Sequence, residues 1–212
     1  MSQEDLLRRG AAALGVPLTD DQCRKLLDYG ALILKWNKVY NLTALRDPAS
    51  VLTHHLLDSL AIIPPLQAMS PAETRLLDVG AGAGLPGVVV AILRPDVEVN
   101  CVDAVAKKAA FIQQVASELR LTNLHSTHAR VEKLAGTYDV ISSRAFASLK
   151  DFTRGSEQLL AENGVWLAMK GRKPDDEIPG LPPSVEVFHV EQLHVPGLDA
   201  ERCIVWMRKA RA

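Results

Sequence analysis

The sequence predicts an α/β fold in which a parallel sheet is covered by helices on both faces and preceded by a helical extension. Three observations carry this. Residues 75–103 read strand, glycine-dense turn, helix, strand, acidic residue, which is one nucleotide-binding βαβ unit. From residue 75 onward short apolar runs alternate with helical patterns, the signature of a parallel sheet. Before that point the apolar residues recur at helical spacing. The 212 residues therefore divide into a helical extension over 1–66 and a Rossmann-like domain over 67–212.

Residues 3–14 form the first helix. Ser2 caps it, Leu6, Leu7, Ala11 and Leu14 supply its apolar side, and Gly15 with Pro17 ends it. The second opens on Thr19-Asp20-Asp21-Gln22, a capping-box sequence. Leu26, Leu27, Ala31, Leu34 and Trp36 give it a buried stripe to about Lys38. Asn37 and Asn41 then turn the chain. A third helix follows Asp47-Pro48, reads SVLTHHLLDSLAII and stops at Pro64-Pro65. It sets His54 and Asp58 at i,i+4 and His55 and Asp58 at i,i+3. No further ligands complete a metal site. Either one histidine packs while the other bonds Asp58, or the helix lies over a ligand mouth lined by His55 and Asp58.

Leu76-Leu77-Asp78-Val79 is the first strand. Gly80, Gly82 and Gly84 follow; they admit positive φ and carry no side chain, so backbone can touch a ligand. Pro86 opens a buried helix that Arg94-Pro95-Asp96 breaks. Strand Val97–Val102 then delivers Asp103, 23 residues after Gly80. A carboxylate there can accept both hydroxyls of a ribose, which points to an adenosine cofactor. Gly82 to Gly87 also spells G-x-G-x-x-G, so NAD enters as an alternative. A pyrophosphate beside Asp78 costs Coulomb energy. S-adenosylmethionine carries an ammonium and a sulfonium and no phosphate, and the acid at 78 favours it.

Helix Ala106–Leu119 turns Ala109, Ile112, Val115 and Ala116 inward and opens on Lys107-Lys108, cations set against the helix dipole. Strands follow near Leu124–Thr127 and at Tyr138–Ser142, with Arg130-Val131-Glu132 in the loop between them. A helix spans Leu149–Leu160, and Asn163-Gly164 turns into a fifth strand, Val165–Met169. Val185–His194 and Cys203–Met207 close the sheet as an antiparallel pair. Lys170, Arg172 and Lys173 end the fifth strand on the same carboxyl edge as Gly80 and Asp103. They are a candidate phosphate clamp, or else a solvated loop.

Hydrophobic residues make up 48% of the chain, enough for a full core, and the net charge of −1 means that any nucleic acid must be met by a local basic patch. Cys23, Cys101 and Cys203 are too few and too scattered for a disulfide framework or a zinc site. The start MSQEDLLRRG has no apolar signal core, and no apolar run reaches membrane-spanning length, so a cytoplasmic protein is expected.

The runs LLDVGAGAGLPG, VDAVAKKAAFIQQV, RVEKL, VISSRAFASL and MKG, preceded by WNKVYNLTAL and HHLLDSL, occur in that order. Over roughly residues 20–175 the chain resembles the bacterial small-subunit ribosomal RNA guanine-N7 methyltransferases, the RsmG or GidB family. SRAF and WNxxxNLTA are more specific than the glycine turn. The resemblance implies a class I S-adenosylmethionine-dependent methyltransferase fold with a seven-stranded sheet. It implies methylation of N7 of guanine 527 in 16S rRNA; the near-zero net charge favours a preformed particle, the 30S subunit or a late precursor, as substrate, and a monomer is the default. The resemblance assigns the cofactor to Gly80, Gly82, Gly84, Leu85, Asp103, Val131, Glu132 and Arg144, beside Asp78.

Guanine N7 has an in-plane lone pair and no proton to lose, so positioning rather than a general base is expected. Ser143-Arg144-Ala145-Phe146 stands where exocyclic-amine methyltransferases carry an Asn/Asp-Pro-Pro-aromatic tetrad, which fits a ring nitrogen. Arg144, Phe146 and Lys170 are the candidate positioning residues, and Phe146 either stacks on an extruded base or caps the sheet. Rival readings are an NAD-dependent oxidoreductase and a non-catalytic RNA-binding assembly factor.

Overall fold

The computed structural model describes residues 1–70, 73–144 and 148–211. Seven strands form one sheet: β1 Arg75–Val79, β2 Glu98–Asp103, β3 Leu124–His128, β4 Tyr138–Ser143, β5 Leu160–Lys170, β6 Val185–Leu193 and β7 Arg202–Lys209. Their spatial order is β3-β2-β1-β4-β5-β7-β6. β1 to β5 pair in parallel, and β7 enters antiparallel between β5 and β6. The order reverses between β1 and β4, and a crevice opens past the carboxyl ends of strands at such a switch point.

Alternation along each strand feeds two cores. Leu76, Val99, Val140, Leu167 and Trp206 face one side with α1 Gln3–Ala13, α2 Asp20–Tyr40, α6 Gly87–Leu93 and α7 Ala106–Glu118. Leu77, Val102, Ile141, Trp166 and Val205 face the other, where α8 Leu149–Ser156 packs. Trp166 is fully buried because its indole N–H finds Ser156 Oγ at 3.0 Å.

Both N-terminal caps are reciprocal: Ser2 with Asp5, and Thr19 with Gln22. Between them and the sheet lie α3 Pro48–Val51, a π-helix Leu52–Leu57, α4 Asp58–Leu60 and α5 Ile63–Met69. The helical extension shares its core with the sheet, since Leu7, Leu26, Ile33 and Leu60 belong to the same cluster as Val88 and Ile112. The expected division after residue 66 falls inside α5.

Several elements differ from the sequence reading. Pro64 and Pro65 begin α5 rather than end a helix, because the first turn of a helix has no use for their missing N–H. α2 runs on to Tyr40, so Asn41 alone makes the turn, at φ +50°. Asn37 is buried within the helix. The helix over Leu149 stops at Ser156, and β5 spans Leu160–Lys170, with Asn163-Gly164 inside it. Continuous pairing with β4 begins at Val165, just after that dipeptide, and before it only Leu160 is paired, with Tyr138.

Candidate functional site

Two cavities open at the switch point. The first, about 270 Å³, joins the end of β1 to the ends of β2 and β3 and is lined by Gly80, Asp103, Ala104, Arg130, Val131 and Glu132. Four residues read from sequence as cofactor ligands thus meet in one place. Asp103 Oδ2 accepts from Gly82 N at 2.9 Å and Oδ1 from Val105 N at 2.8 Å. A carboxylate offers about four acceptor positions, so two remain for ribose hydroxyls.

The glycines divide the work. Gly80, Gly82 and Gly84 all have positive φ. A Cβ on Gly82 would meet nothing within 4 Å, so this glycine leaves bare backbone beside the Asp103 carboxylate that its N–H bonds. A Cβ on Gly87 would lie 2.4 Å from Cys101 Sγ, so here the missing side chain lets α6 press onto the sheet. Leu85 is buried beneath the turn. The turn is also held from outside the βαβ unit, since Tyr29 of α2 donates its hydroxyl to Ala83 O at 2.6 Å. An open glycine, a concave pocket and an acid at the strand tip fit a sulfonium nucleoside.

Asp78 departs from the reading that put it at the mouth. It is completely buried, accepting from Gly87 N at 2.9 Å and Ser142 Oγ at 3.1 Å. Its side chain shares the sheet face that α6 covers, so it anchors the helix instead of facing the crevice. Burial pushes its pKa up to about 7, against the pull of both hydrogen bonds. Well below pH 4 the carboxyl is protonated in folded and unfolded chains alike. As pH rises from about 4 to about 7 only the unfolded chain releases the proton, and the fold loses up to ~4 kcal/mol. Asp78→Asn is expected to lose less stability than the wild type between pH 5 and pH 8, measured by urea unfolding. Parallel curves would refute the buried charge.

The second cavity, about 460 Å³, is lined by Thr43, His55, Asp58, Arg144, Lys170 and Arg202, with Met169 at its wall. Asp58 is its centre. Its carboxylate, 2% exposed, accepts from Arg144 Nη1 at 3.3 Å and Arg202 Nε at 2.9 Å. Arg144 also donates to His54 O at 3.0 Å and to His55 Nδ1 at 3.0 Å. With Nδ1 accepting, the His55 proton sits on Nε2 and points at Thr43 Oγ1, 2.7 Å away. Burial, then the Arg144 charge, lowers the His55 pKa to about 4, so the ring is neutral near pH 7. His54 and His55 lie in the π-helical turn and Asp58 follows it directly. His55 and Asp58 therefore meet through Arg144, not through a bond of their own.

The expected clamp of three cations is not assembled. Lys170 lines this cavity and is paired with Glu177 at 2.9 Å. Arg172 and Lys173 lie in a separate depression with Asp175, Asp176 and Glu201, and Lys173 pairs with Asp175. Arg202 takes the third cationic place. Sequence reading passed over it because its partner is 144 residues away. Asn37 was also missed: it bonds Leu45 O at 2.8 Å and Thr43 N at 3.0 Å and so shapes the 43–45 wall. Its signal was the WNxxxNLTA run. Phe146 lies outside the described residues. Among the described residues no group of three His, Cys, Asp or Glu is placed to hold a metal.

Residues 22–205 match the family model for rRNA small subunit methyltransferase G (GidB). The chain is 63% identical over 216 residues to ribosomal RNA small subunit methyltransferase G of Acidovorax sp. (strain JS42), with 98% of this chain and 96% of that protein covered. Among solved structures it is similar to TrmN from Thermus thermophilus, at TM-score 0.58 and 19% identity over 75% of this chain and 53% of that one. A SAM-dependent methyltransferase from Aquifex aeolicus gives TM-score 0.58 and 15% identity over 79% and 96%. The two structures speak for the fold, and the sequence likeness along almost the whole chain speaks for descent. The chain belongs to the ribosomal RNA small subunit methyltransferase G family.

Proposed function

We propose that this chain transfers a methyl group to N7 of a guanine of 16S rRNA, guanine 527 in the usual numbering, within the 30S subunit or a late precursor. As a member of its family the chain is an S-adenosylmethionine-dependent methyltransferase of small-subunit ribosomal RNA, and the NAD reading of the glycine turn is set aside. The atom, the base and the particle are the proposed part. A monomer acting in the cytoplasm completes it; no helix among the described residues is long and apolar enough to cross a membrane.

When bound, S-adenosylmethionine supplies a methyl group made electrophilic by a cationic sulfur. The chain's own residues bind and orient. Asp103 and the open face of Gly82 fix the nucleoside end. Arg144 and Arg202, held by Asp58, line the neighbouring cavity with Lys170. One observation carries the N7 reading: the titratable groups of that cavity are committed. Asp58 is held by two arginines, and His55 is neutral with both ring nitrogens bonded. A site without an available base suits an acceptor nitrogen that has no proton to surrender.

The test is to map N7-methylguanine in rRNA from cells with and without the chain. Loss of methylation at one guanine is expected; unchanged methylation, or loss at an exocyclic amine, sinks the proposal. For the cofactor cavity, Asp103→Ala should weaken S-adenosylhomocysteine binding by ~1.5–3 kcal/mol, the contribution of hydrogen bonds to a charged group. Unchanged affinity in calorimetry would remove Asp103 from the site.

A further inference from the structure

The end of α2 and the start of α7 carry a surface that neither cavity uses. Val39 is 70% exposed, Tyr40 40% and Val105 47%, half of the six exposed large apolar side chains among the described residues. Trp36 holds the Tyr40 ring at 5.3 Å between centroids and packs edge-on against Phe111 of α7 at 5.4 Å. Lys107 Nζ stands 5.5 Å from the Tyr40 centroid, which joins the two helices at the surface.

The two segments that carry this platform hold charge of one sign, with the Asp103 carboxylate at their border, bonded to Val105 N at 2.8 Å. Residues 29–46 and 104–117 contain Lys35, Lys38, Arg46, Lys107 and Lys108 and no Asp or Glu, in a chain of net charge −1. Among the described residues none of these five cations is in an ion pair; Arg46 bonds only neutral acceptors, Asn37 O and Asn41 Oδ1. The surface also borders both cavities. Tyr40 is followed by Thr43 and Leu45 on the wall of one, and Val105 follows Asp103 and Ala104 on the wall of the other.

Unpaired cations around an exposed aromatic are the means by which proteins hold single-stranded nucleic acid. Resting on the RNA-methylation reading above, we propose that this platform docks the single-stranded RNA flanking the methylated base. A base stacks on Tyr40 beside Val105, and Lys38, Arg46 and Lys107 meet phosphates. An exposed cation–π contact is weaker than base stacking, so Lys107 leaves the ring to a base and turns to the backbone.

The experiment compares wild type, Tyr40→Ala, Tyr40→Phe and the double variant Lys38→Ala/Lys107→Ala. It reads methyl transfer to 30S subunits and anisotropy of a fluorescent single-stranded oligoribonucleotide. Tyr40→Ala is expected to raise the KM for 30S subunits and the oligonucleotide Kd roughly tenfold, with kcat and S-adenosylhomocysteine affinity kept. Tyr40→Phe, which retains the ring, restores both. The lysine pair is expected to flatten the salt dependence of oligonucleotide binding by about 0.7 in log–log slope for each phosphate no longer neutralised. Wild-type values throughout overturn the proposal. So does a raised KM for 30S subunits with unchanged oligonucleotide binding, which would assign the surface to a ribosomal protein. A wild type that binds the oligonucleotide through these residues but methylates no 16S rRNA would sink the methylation reading and leave the surface standing.

Discussion

Gly84→Ala is expected to lose much more stability than Gly82→Ala, two residues earlier in the same turn, and both are expected to weaken cofactor binding. Gly84 sits at φ +94°, and a Cβ there would lie 2.4 Å from Val88 Cγ2 and 3.3 Å from both Ile112 Cγ1 and Tyr29 Oη. Val88 is short, branched and fully buried, so it cannot swing aside. The left-handed conformation costs ~1–2 kcal/mol and overpacking a further ~1–3. The sum is a large part of the ~5–15 kcal/mol that holds a domain folded. Gly82 has φ +59° and open space around it, so only the first cost applies. Urea midpoints and calorimetric titration with S-adenosylhomocysteine check the pair. A Gly84→Ala protein with the wild-type midpoint would show that the turn is looser than its geometry.

Asp58→Ala is expected to cut methyl transfer to 30S subunits roughly a hundredfold, the effect of displacing a positioning group by about 1 Å. It should leave S-adenosylhomocysteine affinity intact, because Asp58 does not line the cofactor cavity. Removing the carboxylate releases Arg144 and Arg202 together, since each has Asp58 as its carboxylate partner. Breaking a buried ion pair costs ~3–5 kcal/mol. With the two arginine side chains 22% and 25% exposed the loss should be smaller, about 1–3 kcal/mol after solvent screening. Asp58→Asn keeps one acceptor oxygen and should recover part of the rate. Equal kcat in Asp58→Ala and wild type would mean that the two guanidinium groups need no tether. Loss of cofactor affinity would mean that the cavities are not independent.

Local rules served the sequence reading where partners are close along the chain. The capping boxes at Ser2 and Thr19 are set by a residue three positions away, and the glycine turn by its own backbone. The order of strands and helices followed from apolar spacing; of the walls of one cavity, Gly80 and Asp103 followed from the glycine-turn motif, and Val131 and Glu132 from the family resemblance. What was missed depends on the face or the register a side chain takes. Asp78 shares a sheet face with α6, which periodicity does not reveal, so its partners Gly87 and Ser142 were out of view. The cluster around Asp58 draws on residues 43, 55, 144 and 202, and no spacing rule joins them.

The 2.6 Å bond from Tyr29 to Ala83 bears on how this architecture can be recombined. The ring hydroxyl of one segment and the ligand-facing loop of the other form a single joint. Cutting the chain before β1 and splicing its sheet to a foreign cap would leave that loop without its brace. The extension and the catalytic sheet therefore diverge as a unit, and chimaeras within the family should stay active only when both halves of the joint come from the same parent.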